Sequence, residues 1–116
     1  MELVVVVDCA DLDRSAEFWS GVLGYVAQPG GGDRYRSLKP VAGSGVEVLL
    51  QRVSEAKSGK NRLHLDLRVA DMHAEVRRVE GLGARRLTAA PIEEDGWSWH
   101  VMADPDGNEF CVITGP

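Results

Sequence analysis

Residues 62–69 set four ionisable side chains, Arg62, His64, Asp66 and Arg68, at every second position, with Leu63, Leu65, Leu67 and Val69 between them. A period of two is that of a strand, so this stretch buries an apolar face and presents a titratable one. An imidazole beside a carboxylate titrates near neutral pH and can pass a proton, which makes His64 a candidate acid or base. The ordinary alternative is a histidine hydrogen-bonded within a polar sheet face. Strand parity adds Asp8 to that face, together with Glu47, Gln51, Glu109 and Cys111 from later strands. Glu109 is the second catalytic candidate. The ligand-binding candidates are His64, Asp66, Arg68, Asp8, Gln51 and Cys111, and the alternative for all of them is a set of solvated charges that merely pair.

Trp97 and Trp99 alternate with Ser98 and His100 on one strand. The tryptophans either line a ligand cavity or pack beneath a helix, and packing is the ordinary outcome for large rings. Tyr35, after a Gly-rich loop, is open in the same way. Cys9 and Cys111 have no Cys-x-x-Cys partner and are expected to be free thiols on opposite faces of the sheet. A nucleophilic Cys111–His64 pair is not expected, because a cysteine between Phe110 and Val112 reads as a buried structural thiol. Gly81-Leu82-Gly83 sits at the end of a helix, where no backbone N–H groups are free for phosphate. Asp104-x-Asp106-x-Asn108 has Gly115 at the twelfth position and so lacks the carboxylate of a calcium loop.

These side chains need elements to carry them. Residues 2–9 read as a strand with Leu3, Val5, Val7 and Cys9 on one face and Val4, Val6 and Asp8 on the other. Asp11 caps a helix with Leu12, Ala16, Trp19 and Leu23 as its buried stripe, and Gly24 stops it. Extended segments follow near 25–28, 34–39 and 45–53, separated by glycine-rich turns. Residues 54–61 are a polar connector. The pattern then repeats: a strand from 62, Asp71 as cap, Met72, Val76, Val79 and Leu82 as the stripe, Gly83 as the stop, and strands near 84–90, 97–103 and 108–114. The turn Asp104-Pro105-Asp106-Gly107 joins the last two. The order is βαβββ twice, with halves 1–53 and 62–116 in one domain of 1–116. Val4 aligns with His64, and Gly45-Val-Glu47-Val-Leu49 with Gly107-Asn-Glu109-Phe-Cys111.

A chain of 116 residues with 44% hydrophobic and 27% charged residues can build a core without staples. Its net charge of −5 argues against nucleic acid, which demands a basic surface. No apolar run approaches the roughly 18 residues that suggest a membrane span. With no signal-peptide pattern at the N-terminus, a cytoplasmic location is expected.

The segments CADLDRSAEFWSGVLGY, HLDLRVADMHAEVRRVEGLGARRL and VMADPDGNEFCV, set in a duplicated βαβββ order, resemble the glyoxalase / bleomycin-resistance / dioxygenase family, the vicinal oxygen chelate superfamily. The resemblance implies an α+β fold whose two βαβββ modules form a curved mixed sheet around a cleft. In metal-using members a His or Gln on the opening strand and a Glu on the closing strand of each half bind the ion. Those positions are Val4, Leu49, His64 and Cys111 here. Aliphatic side chains donate nothing, and one imidazole with one thiol falls short of the three protein ligands of a catalytic zinc. Magnesium or manganese would want oxygen donors. No cofactor is therefore expected, although Gln51, two residues beyond Leu49, offers a substitute if the strand shifts. The resemblance implies a protein that binds a small molecule in its cleft without a metal. The alternatives are a metal-dependent lyase, isomerase or dioxygenase, and a non-catalytic module that dimerises. A homodimer is in keeping with the family, and neither a nucleic-acid nor a membrane partner is expected.

Overall fold

The computed structural model describes all 116 residues, which divide into two compact units, Met1–Lys57 and Ser58–Pro116. In the first unit, β1 (Val4–Cys9) leads into α1 (Leu12–Leu23), then β2 (Tyr25–Ala27), β3 (Tyr35–Pro40) and β4 (Glu47–Arg52). These strands form an open mixed sheet in the order β1-β4-β3-β2, with β1 parallel to β4 and the other neighbours antiparallel. The second unit contains β5 (Leu65–Arg68), α2 (Met72–Gly81), β6 (Arg85–Arg86), β7 (Ile92–Glu94), β8 (Trp97–Ala103) and β9 (Glu109–Thr114). Its sheet runs β5-β9-β8-β6, with β7 also on β8, and β5 is parallel to β9. This is the α+β architecture of two βαβββ modules, with one strand more than expected in the second.

Both helices begin as their caps dictate. Asp11 Oδ1 accepts from the Arg14 N–H at 3.1 Å, and Asp71 Oδ1 from the Ala74 N–H at 3.0 Å, satisfying first-turn donors that have no helical partner. Gly24 ends α1 in the left-handed region at φ +68°, its N–H donating to Ser20 O. The stripe of α1 is broader than expected. Phe18 and Val22 join Leu12, Ala16 and Trp19 in the core, whereas Leu23 is only half-buried. Phe18 and Trp19 meet edge to face, with ring centroids 5.1 Å apart. In α2, Met72, Val76 and Val79 are buried. The helix closes at Gly81, before the expected Gly83 stop, and so leaves Leu82 at the C-cap, exposed rather than part of the stripe.

Two further expectations change. The strand expected from residue 62 starts only at Leu65, since residues 62–64 have no ladder partner. Leu63, expected on the buried face, is 91% exposed. The strand expected at 84–90 shrinks to Arg85–Arg86, and a further short strand lies beyond it at Ile92–Glu94, both antiparallel along β8. Arg85 and Arg86 pair with Ala103 and Met102, and Ile92 to Glu94 with Trp99 to Trp97. Pro91 lies in the gap between the pieces, where its missing N–H suits an interruption of the ladder.

Each sheet has one apolar face and one mixed face. In the first unit Val48 and Leu50 are buried beside Val7 and Cys9, on the face that carries α1. In the second, Phe110 and Val112 are buried beside Met102 and His100, on the face that carries α2. Cys9 and Cys111 are both buried and in no disulfide, one in each sheet.

Candidate functional site

The mixed face of the second sheet holds an open cavity of about 310 Å³, lined by Lys60, His64, Asp66, Trp99, Val101, Glu109, Cys111 and Ile113. Strand register explains the set. Asp66 lies opposite Cys111 across the parallel β5–β9 pair, Val101 opposite Cys111 and Trp99 opposite Ile113 across β8–β9. Residues directly opposite share a face, so these side chains converge. Trp99 therefore lines the cavity rather than packing beneath a helix, and Trp97, two residues away on β8, shares its face. His100 is the strand's helix-side residue, only 2% exposed.

His64 precedes β5 and is placed by its neighbours. Asn61 and Glu109 bond reciprocally: Asn61 Oδ1 accepts from the Glu109 N–H at 2.9 Å, and Glu109 Oε1 accepts from the Asn61 N–H at 3.3 Å. Lys60 Nζ donates to the same Glu109 oxygen at 2.9 Å. This clamp fixes the approach to β5 and brings His64 Nδ1 to 3.3 Å from Asp66 Oδ1 and 4.0 Å from Cys111 Sγ. Lys60 and Asn61 belong to the segment read as a plain connector. The asparagine had no sequence signal, because its partner is 48 residues away. Val101 and Ile113, by contrast, follow from the parity of Cys111 and its antiparallel partner.

Burial pushes the Cys111 thiol up to about 11, the Asp66 charge adds to the rise, and Lys60 opposes it. A neutral thiol is a poor nucleophile. Arg68 carries its guanidinium carbon 5.0 Å from the centre of the Trp97 ring. The ring fits there because residue 115 is glycine: a β-carbon at Gly115 would overlap it. On the opposite face, His100 Nδ1 lies 2.7 Å from Thr88 Oγ1, which also accepts from the Val101 N–H at 3.3 Å. Burial first, then the nearby Arg86 charge, lowers the His100 pKa.

Of the sequence candidates, His64, Asp66, Glu109 and Cys111 line this cavity, and Arg68 sits on the same sheet face beside Trp97. Asp8 and Gln51 lie in the first unit, opposite one another on β1 and β4. There Gln51 Nε2 donates to Tyr35 Oη at 3.4 Å. Glu47, in the same unit, accepts from Ser37 Oγ at 2.6 Å. The Asp104 loop is structural. The buried Asp104 carboxylate accepts from the backbone N–H groups of Asp106 and Asn108 and from the Asn108 side chain, while Gly107 turns at φ +90°.

The four metal positions implied by the resemblance are not a fitting donor set. Val4 lies on β1 opposite Glu47, and Leu49 on β4 opposite Val6, both with hydrocarbon side chains that coordinate nothing. Only His64 and Cys111 retain a donor atom.

The model of the glyoxalase-like domain family matches residues 4–113. No curated protein sequence matches the chain. Among solved structures, a glyoxalase/bleomycin resistance protein/dioxygenase family enzyme from Burkholderia phytofirmans PsJN superposes with a TM-score of 0.76 at 20% identity, covering 97% of each chain. The fosfomycin resistance protein FosX from Listeria monocytogenes gives a TM-score of 0.79 at 13% identity, covering 100% of this chain and 91% of that one. FosX from Mesorhizobium loti gives 0.75 at 17%, covering 100% and 92%. At such identities the likeness is one of fold. With the family model spanning both modules and the same fold in these structures, the chain belongs to the glyoxalase-like domain family of the vicinal oxygen chelate superfamily.

Proposed function

We propose that the protein binds a small organic molecule in the cavity of its second unit, through its own side chains and not through the four-donor metal of its superfamily. One observation carries this reading: the cavity is lined both by apolar side chains, Trp99, Val101 and Ile113, and by polar ones, His64, Asp66 and the Lys60–Glu109 pair. Ligand sites combine aromatic and aliphatic surface with a few placed polar groups in this way, and about 310 Å³ lies at the small end of their range. Glu109 is engaged by Lys60 and Asn61 and so acts mainly as a clamp. His64 and Asp66, each nearly half exposed, are the groups that face a ligand.

The test is a thermal-shift screen of small molecules between roughly pH 5 and 8, a window that brackets an ordinary histidine. Fosfomycin and other antibiotics belong in the first set, since the names of the structural neighbours include fosfomycin resistance proteins. Stabilising compounds are expected to lose most of their effect in Trp99→Ala, and to lose the pH dependence of that effect in His64→Gln. Arg85→Gln, outside the cavity, should respond like the wild type. Hits that stabilise Trp99→Ala and His64→Gln as they do the wild type would place binding elsewhere.

A further inference from the structure

His64, Asp66 and Cys111 supply three different donor types, an imidazole nitrogen, a carboxylate oxygen and a sulfur, all within 4.8 Å of one another. A zinc-class ion binds such ligands at about 2.0–2.3 Å, and a tetrahedron built from those bonds has edges of roughly 3.3–3.6 Å. The His64–Asp66 edge already has that length at 3.3 Å, and the His64–Cys111 edge at 4.0 Å is within half an ångström of it. The two partners that must adjust are surface side chains, 44% and 43% exposed, while Cys111 is fixed in the core of β9.

We propose that His64, Asp66 and Cys111 form a site for a thiophilic divalent cation of the zinc and cobalt(II) class, built wholly within the second unit and leaving its fourth position open to the cavity. Asp66 is the residue that makes the difference. It does not occupy a ligand position of the superfamily, yet the β5–β9 register sets it directly opposite Cys111, raising the donor count from two to the three protein ligands of an open zinc site. The sulfur donor selects against magnesium and calcium, which take oxygen. Glu109 is not the fourth ligand, because Lys60 and Asn61 hold its carboxylate. Its contribution is to fix the chain that carries His64, the kind of support on which metal affinity depends. The site shares His64 and Asp66 with the cavity proposed above but needs no small molecule, so a cobalt titration made without one can fail while that reading stands.

The experiment is a titration of the chelator-treated, reduced protein with cobalt(II), read by the thiolate-to-cobalt charge-transfer absorption in the near ultraviolet and by the visible bands of a four-coordinate ion. Both are expected to saturate at one equivalent. Cys111→Ser should abolish the charge-transfer band, and Cys9→Ser should retain it. Losing an outer partner of a metal ligand costs about 10–100-fold in affinity, so losing a donor in Asp66→Asn or His64→Gln should cost at least ~100-fold. These two residues are on the surface, so both variants should fold, with circular dichroism as the check. Arg85→Gln, outside the cavity, should bind cobalt like the wild type. Absence of the band at one equivalent, its survival in Cys111→Ser, its loss in Cys9→Ser, or unchanged affinity in Asp66→Asn would each overturn the proposal.

Discussion

Across the parallel β1–β4 pair of the first unit Val6 lies opposite Leu49; at the equivalent place in the second, Asp66 lies opposite Cys111 across β5–β9. One step earlier, Val4 of the first unit corresponds to His64 of the second. The other faces of the same strands do not diverge. Val48 and Leu50 are buried in one sheet, Phe110 and Val112 in the other. A helix covers the apolar face in each unit, and close packing there penalises any change of volume or polarity. The mixed face carries no helix of its own unit, so this pair is free to be aliphatic in one module and polar in the other. The fold is written on one side of each sheet and the chemistry on the other.

Substitutions can break or sharpen that comparison. The largest effect should come from the helices: Trp19 is 1% exposed, and Trp19→Ala should cost about 3–5 kcal/mol in urea unfolding. Its counterpart eight residues after the second cap is Val79, fully buried, where truncation to Ala should cost about 2 kcal/mol. Equal losses would mean that the larger ring contributes no more than the valine.

Gly115→Ala should cost about 1–3 kcal/mol by driving a β-carbon into the Trp97 ring, and should shift the tryptophan fluorescence. The equivalent residue of the first unit is Val53, where a side chain is present. An unshifted spectrum would mean that Trp97 does not rest on residue 115.

A third difference is between Arg36, whose guanidinium reaches Asp13 at 3.1 Å, and His100, which takes the equivalent register position with its ring buried. Burial and then the Arg86 charge lower the His100 pKa from 6.5, with a lesser lowering from His73, against opposing contributions from Thr88 and Glu80. As pH falls, the unfolded chain therefore takes up this proton first. The stability from neutral His100 is complete above about pH 6.5 and is lost as the pH drops towards the folded value, at no more than about 1.4 kcal/mol per pH unit. Unfolding free energies at intervals between pH 7.5 and 5.5 should show that slope in the wild type and a shallower one in His100→Gln. Identical slopes would assign the proton elsewhere.

The smallest effect on stability is expected where the two units differ most. Asp66→Val combined with Cys111→Leu rewrites this pair as that of the first unit, and should change stability by less than about 1 kcal/mol, since Asp66 is exposed and Cys111, though buried, borders the open cavity. A loss above 3 kcal/mol would show that the polar face supports the fold as well.

Signals that act between near neighbours are legible in the chain. Helix caps at Asp11 and Asp71, the Gly24 stop and the Asp104–Gly107 turn depend on neighbours within a few residues, and all four form as the residue types require. The convergence of His64, Asp66 and Cys111 on one face came from parity and the internal repeat. What could not be read depends on distant partners. Asn61 looked like linker because nothing near it in sequence reveals its bonds to Glu109. Trp99 was ambiguous because parity says which residues share a face, not which face a helix covers. The split between Arg86 and Ile92 turned on Pro91, beyond the end of the strand expected at 84–90, and on where β8 offers a free edge.

That split has a consequence for how the protein behaves among its own copies. The outer rim of the second sheet consists of two residues, a gap, and three residues. Arg85, Arg86, Glu93 and Glu94 contribute charges of both signs to the short pieces. A long, even rim of unpaired amide and carbonyl groups is a template on which another chain can add a strand, and natural sheets suppress it with short strands, charge and proline. Here all three occur on one rim. A foreign strand would have to match two short registers and then cross a proline that offers no N–H, so the broken strand acts as a guard against self-association in fibrils.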